Sequence, residues 1–155
     1  WNYQQIELGF NYRMTDIQAA LGLSQMQRLD EFITKRHVIA KRYDQLLSAL
    51  PVLVPWPHAD SYSSYHLYVI RLKLDEINKT QRQVYDALRA EEILVNLHYI
   101  PVYRQPYYEQ MGFRTGYCRL AEQYYSEAIS IPMYPGLTEG QQDKVVAVIR
   151  EAVGA

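Results

Sequence analysis

No proline interrupts the chain from Thr15 to Leu50, and apolar residues recur along that stretch at helical spacing. Ile17, Ala20 and Leu21 begin the stripe, Leu29, Phe32 and Ile33 continue it, and Ile39, Tyr43, Leu46, Leu47 and Leu50 complete it. Thr15-Asp-Ile-Gln18 has the form of a capping box, in which the threonine and the glutamine three residues later satisfy each other's backbone N–H groups. Asp16 places a negative charge in the first turn, where the helix dipole favours it. The pattern predicts one helix over 15–50, roughly 50 Å long at about 1.5 Å per residue. A helix longer than a small domain is wide must project from it or bridge to something else. The alternative is two helices of a bundle, bent near Gly22 or broken in the polar stretch from Thr34 to His37.

After Pro51, Pro55 and Pro57, which mark an extended connector, the periodicity changes. Residues 65–74 alternate, with His66, Tyr68, Ile70, Leu72 and Leu74 on one face, as a half-buried strand requires. Residues 80–91 return to helical spacing through Val84, Ala87 and Leu88. A short apolar strand is expected over Ile93–Leu97, a helix over Cys118–Glu127, and a strand over Ala128–Met133. Thr138-Glu-Gly-Gln141 is a second capping box, followed by Val145, Val146, Ile149, Ala152 and Val153 at helical spacing. Three short strands with helices on one face make a two-layer α/β domain. The expected division is 1–50 for the loop and long helix, and 51–155 for the small α/β domain.

Composition narrows the function. The 155 residues suit one domain of ordinary size. With 16 Lys plus Arg against 17 Asp plus Glu, the net charge of −1 argues against a nucleic-acid-binding stripe or a polybasic membrane surface. No apolar run approaches the roughly 20 residues of a membrane helix. The lone Cys118 can form neither an intrachain disulfide nor a cysteine zinc site, and it fits a reducing cytoplasm. His37, His58, His66 and His98 lack metal-ligand spacing. There is no glycine-rich dinucleotide fingerprint and no phosphate-binding P-loop. Fifteen tyrosines are the anomaly, and amphipathic rings in such number suit interfaces and ligand clefts.

Two clusters carry polar chemistry. In Gly9-Phe-Asn-Tyr-Arg-Met-Thr-Asp16, Asn11 can donate two hydrogen bonds and Arg13 offers a planar fork of donors, just before a helix N-terminus. That setting suits a phosphate or carboxylate, but it is also compatible with an ordinary loop whose arginine pairs locally. Asn96-Leu-His-Tyr-Ile-Pro-Val-Tyr-Arg-Gln-Pro-Tyr-Tyr108 runs from a strand end into a loop with one imidazole and four phenols. Loops at strand ends often hold ligands, and a Tyr-rich domain or subunit interface would look the same. Neither cluster is a complete catalytic constellation.

The stretch Gly9–Gly22 resembles the segment that opens the C-terminal part of the DegT/StrS-type sugar aminotransferases. His98–Tyr108 and Ile129-Ser-Ile-Pro-Met-Tyr-Pro-Gly-Leu-Thr-Glu139 resemble two later motifs of that family, in the expected order, and Ser64-Tyr-His-Leu-Tyr68 resembles its strand motif. Within the family the chain looks most like the transaminases that make a 4-amino sugar nucleotide on the pseudaminic acid route. The resemblance implies the small C-terminal domain of a fold-type-I aminotransferase, with pyridoxal phosphate held on a lysine of a large N-terminal domain. It implies transfer of an amino group, from glutamate, to a keto-sugar nucleotide, by a cytoplasmic homodimer. The family's Lys-x-x-Thr-Thr-Gly-Glu-Gly-Gly-like stretch is missing here, and the chain opens at Trp1. The expectation is therefore a C-terminal portion that is inactive by itself. Asn11 matches the family asparagine that reaches the cofactor phosphate of the neighbouring subunit. Arg13, His98, Tyr99, Tyr103 and Tyr107 are the expected substrate-binding residues, with no catalytic residue and no metal ligand in this chain. The other readings are a dehydratase relative using the same cofactor, and a stand-alone α/β binding or regulatory module.

Overall fold

The computed structural model describes Glu7, Gly9, Phe10 and residues 12–154. Helix α1 (Asp16–Met26) opens on the expected capping box, with the Thr15 side chain accepting from the Gln18 amide. Helix α2 (Leu29–Leu47) follows after an interruption at Gln27 and Arg28. The single helix expected over 15–50 is thus two, and the break lies neither at Gly22 nor at Thr34–His37. At the joint the last turn of α1 tightens. The Arg28 N–H donates to the Gln25 carbonyl at 3.1 Å, and Arg28 leaves helical geometry at φ −111°, ψ 7°. The Arg28 guanidinium then lies over the Phe32 ring, 4.8 Å from its centroid. The polar stretch that invited a break is instead used. Arg36 donates to the carbonyls of Tyr65 (2.7 Å) and His66 (3.1 Å), while His37 stacks on Tyr62 and meets the Tyr65 ring edge-on.

The sheet has three antiparallel strands in the order β1 (Val52–Leu53), β2 (Tyr68–Leu72), β3 (Ala128–Ile131). Val52 pairs with Leu72, Tyr68 with Ile131, and Ile70 with Ile129. The proline-flanked connector therefore supplies a strand. The stretch expected as a strand at Ile93–Leu97 contributes only one bridge, Asn96 to Ser130. Ile93 and Val95 are nevertheless buried, so that run is apolar because it enters the core, not because it extends the ladder.

Helix α3 (Gln81–Ala90) starts on a capping box of its own, Thr80 with Gln83, and α6 (Glu139–Val153) on the expected one, Thr138 with Gln141. Between them lie a 3₁₀ turn (Val102–Arg104), the short α4 (Pro106–Gln110) and α5 (Arg119–Glu127). Tyr68, Ile70 and Leu72 alternate into a core shared with Ile39, Tyr43 and Leu47 of α2, Val84 and Leu88 of α3, and Val145, Val146 and Ile149 of α6. The second half of α2 thus packs with residues 52–153 rather than outside them. The opposite sheet face is partly covered by α5. Arg71 reaches across to Glu127 at 2.7 Å and lies over the Tyr124 ring. Beside it remains a hollow of about 460 Å³ lined by Leu53, Trp56, Leu67 and Val69.

Helix α1 buries none of its residues. Ile17 is 83% exposed and Leu21 62%, so the stripe that predicts this helix has no cover within the described residues. One prediction follows from this asymmetry. The boxes at Thr15, Thr80 and Thr138 share one geometry, but only the last two helices carry core residues. Thr80→Ala and Thr138→Ala should each lower global stability by about 1 kcal/mol in urea titrations. Thr15→Ala should fray α1 locally and leave the global midpoint unchanged.

Candidate functional site

The second polar cluster is suspended from β3. The Asn96 N–H donates to the Ser130 carbonyl at 3.1 Å, and the Ser130 N–H returns a bond to the Asn96 carbonyl at 2.8 Å. This reciprocal pair fixes the exit of the chain from the core. Two residues later the half-buried His98 places Nδ1 2.6 Å from the Ser130 hydroxyl. The Tyr99 ring meets the imidazole edge-on at 4.5 Å and is itself 72% exposed. The His98–Tyr99 peptide bond is cis. His98 and Tyr99 together thus present an anchored imidazole beside a phenol that makes no hydrogen bond among the described residues.

The rest of the loop is braced internally. Tyr103 donates its hydroxyl hydrogen to the Glu122 carboxylate at 2.6 Å and accepts from the Cys118 amide at 3.2 Å. Glu122, in the first turn of α5, also accepts the Gly116 N–H at 2.7 Å. Gly116 has φ +91°, a region that residues with a Cβ rarely adopt. The Tyr103 and Gly116 hydrogen bonds hold the Glu122 carboxyl below the usual carboxylate range. Desolvation first, and then the bond to Glu122, raise the Tyr103 phenol above its ordinary value. The Tyr103 hydroxyl is therefore committed to the contact between the loop and α5. Tyr107 stands against the edge of Tyr108 at 5.3 Å and is 63% exposed, with its hydroxyl unengaged among the described residues. Proline shapes the path, since Pro106 occupies the first turn of α4, where a missing N–H costs nothing.

The first cluster belongs to another part of the molecule. Arg13 is exposed in the extended stretch before α1, and α1 itself stands off the core. Asn11 lies outside the described residues. The structure thus brings His98, Tyr99, Tyr103 and Tyr107 onto one loop and leaves Arg13 on a separate arm. Sequence reasoning missed Ser130 and Glu122, which orient two of these side chains. Ser130 lies within the Ile129–Glu139 motif, but nothing local marks it as the partner of His98, and Glu122 sits in no motif. Each acts on a partner distant in sequence, 32 residues away for Ser130 and 19 for Glu122.

The profile of the DegT/DnrJ/EryC1/StrS aminotransferase family matches residues 1–150. The chain belongs to that family. The spore coat polysaccharide biosynthesis protein SpsC of Bacillus subtilis (strain 168) is 35% identical over 99% of the chain and 40% of its own length. Helicobacter pylori PseC, an aminotransferase involved in the biosynthesis of pseudoaminic acid, superimposes with a TM-score of 0.87 at 28% identity, over 97% of this chain and 40% of that one. A family aminotransferase from Brucella abortus does so with a TM-score of 0.85 at 30% identity, over 100% and 40%. The mixed architecture of helices and a three-stranded sheet is thus that of part of a DegT-family aminotransferase, and the chain spans about 40% of the length of the relatives it matches.

Aminotransferases of the DegT family depend on pyridoxal phosphate. A lysine that carries this cofactor needs a lowered pKa and a shielded pocket. Lys35 and Lys73 are ion-paired with Glu31 and Glu76, and Lys41, Lys79 and Lys144 are exposed. None of these fits a covalent anchor, so no reaction step is assigned to this chain's lysines.

Proposed function

We propose that this chain is the C-terminal portion of a pyridoxal phosphate-dependent enzyme that transfers an amino group, from glutamate, to a keto-sugar nucleotide. The observation that carries the reading is the family match along residues 1–150 of a chain spanning about 40% of its relatives' length. The cofactor, bound elsewhere in the complete enzyme, supplies the electron sink and carries the amino group. This chain's part is binding and positioning. His98 and Tyr99 line the nucleotide-sugar cleft, Tyr107 adds an exposed phenol, and Tyr103 acts through the loop it braces. Arg13 contacts substrate, and Asn11 reaches the cofactor phosphate of a neighbouring subunit in a cytoplasmic homodimer. The uncovered apolar stripe of α1, with Ile17 and Leu21, is where the remaining length of such an enzyme sits. The likeness to PseC supports a keto-sugar of the pseudaminic acid type.

Incubation of the isolated chain with pyridoxal phosphate and borohydride should give no stoichiometric modification of a single lysine, and no amino transfer. Adding the upstream domain as a separate polypeptide should restore both. A single trapped lysine with turnover in the chain alone would overturn the reading. So would a complete gene product with no lysine-bearing domain.

A further inference from the structure

We infer that Ser130 is a positioning residue that sets the tautomer of the neutral His98 ring, with the hydrogen on Nε2, so that the ring presents a hydrogen-bond donor to the ligand. The inference rests on the reading of His98 as a cleft residue, and it adds the polarity of the contact and the residue that sets it.

Ser130 is 5% exposed, on a strand whose four residues are all buried. Its amide and carbonyl are both consumed by the reciprocal pair with Asn96. The hydroxyl is its one remaining polar group, and among the described residues its partner is His98 Nδ1 at 2.6 Å. In the neutral ring, two arrangements of hydrogens fit that distance. If Nδ1 carried the hydrogen and donated, the serine hydrogen would be left in the interior with no acceptor. If the serine donates to a bare Nδ1, only a lone pair on its oxygen goes unused. Orphaned buried donors are rarer and more costly than under-used acceptors. The second arrangement is therefore favoured by roughly tenfold or more. With Nδ1 bare, the neutral ring carries its hydrogen on Nε2.

Nε2 makes no hydrogen bond among the described residues, and the backbone beneath it is pinned by the Asn96–Ser130 pair. The site therefore takes a ligand atom that accepts, namely a phosphoryl, carbonyl or hydroxyl oxygen. A nucleotide sugar is rich in such oxygens, and the donor costs little reorganisation because its direction is set before the ligand arrives.

The ¹⁵N-labelled chain, at a pH where the ring is neutral, shows by long-range ¹H–¹⁵N correlation which ring nitrogen carries the hydrogen. The Nε2–H form should dominate by roughly tenfold or more. Ser130→Ala should return the tautomers toward the ratio of free histidine, and Ser130→Thr, which keeps the hydroxyl, should restore the lock. A dominant Nδ1–H form, or a ratio unmoved by Ser130→Ala, overturns the inference. If Ser130→Ala fails to fold, the wild-type ring and Ser130→Thr still decide. In the complete enzyme, His98→Gln keeps a donor near the Nε2 position. It should hold KM for the nucleotide sugar within a few-fold, whereas His98→Ala should raise it by roughly ten-fold. If KM is unmoved in both, the donor has no ligand and the inference falls. A tautomer still locked in the isolated chain would then trace the failure to the cleft reading, because the lock is measured without ligand.

Discussion

Above pH 10 the domain should lose stability steeply, by roughly 5 kcal/mol by pH 12. Tyr43 and Tyr68 lie side by side in the core, both with no exposed surface, their rings 5.1 Å apart. Burial pushes both phenols well above the ordinary tyrosine range. For Tyr68 the hydrogen bond to Asp44 and the negative charge on that carboxylate push further. In the unfolded chain the same phenols titrate near 10. The pKa values are thus raised by folding. The stabilisation is complete below pH 10 and is withdrawn as the pH climbs toward the folded values, because only the unfolded chain releases these protons. Each tyrosine contributes a slope of about 1.4 kcal/mol per pH unit, so the pair contributes roughly 2.7. Between pH 10 and 12 that amounts to roughly 5 kcal/mol, at the lower end of the total stability of a typical domain. Urea midpoints followed by circular dichroism from pH 8 to 12 measure the slope, and the part of the tyrosinate absorbance that replacing Tyr43 and Tyr68 by phenylalanine removes should rise together with unfolding. Replacing both residues by phenylalanine should flatten the profile. An equally steep decline in the double variant would assign the alkaline transition to other groups.

Ile149→Ala should destabilise the domain by about 2–5 kcal/mol. Ile149 is fully buried at the centre of α6, in the core that also takes Leu88 of α3, Tyr43 of α2 and Ile70 of β2. Three helices and the sheet meet there, so the surroundings have little freedom to collapse into the space vacated. Ile17→Ala removes the same carbon atoms from the exposed side of α1 and should change global stability by less than about 0.5 kcal/mol. The pair is informative together. Equal losses would mean that α1 folds back onto the core in solution, contrary to the exposure of its apolar residues.

What was legible from the residues was mostly local. The boxes at Thr15 and Thr138 announce helix starts because both partners lie within four residues. The alternation through Tyr68, Ile70 and Leu72 marks β2 because period and burial coincide. The misread elements depend on distant partners. Val52–Leu53 becomes a strand only because Leu72 and Arg71 arrive beside it. Ile93–Val95 has the composition of a strand, but β3 takes up only Asn96. The joint at Gln27–Arg28 contains neither glycine nor proline, and no residue there signals a stop. At the candidate site, resemblance pointed to His98 and Tyr99 as expected binding residues, whereas the hold of Ser130 on His98 arises from a turn of topology spanning 32 residues. The committed hydroxyl of Tyr103 was hidden for the same reason, because Glu122 reaches it only after α5 has folded beside the loop.

The borders of the sheet have a further consequence for behaviour at high concentration. On one side, β1 is two residues long and closely followed by Pro55 and Pro57. On the other, the pairing of Asn96 with Ser130 occupies part of the outer rim of β3. A strand from another molecule needs a run of unpaired amides and carbonyls to dock against, and a two-residue strand flanked by proline offers little of one. Copies that meet through the apolar side of α1 should therefore assemble by side-chain packing into discrete, dissociable species rather than seed fibrils.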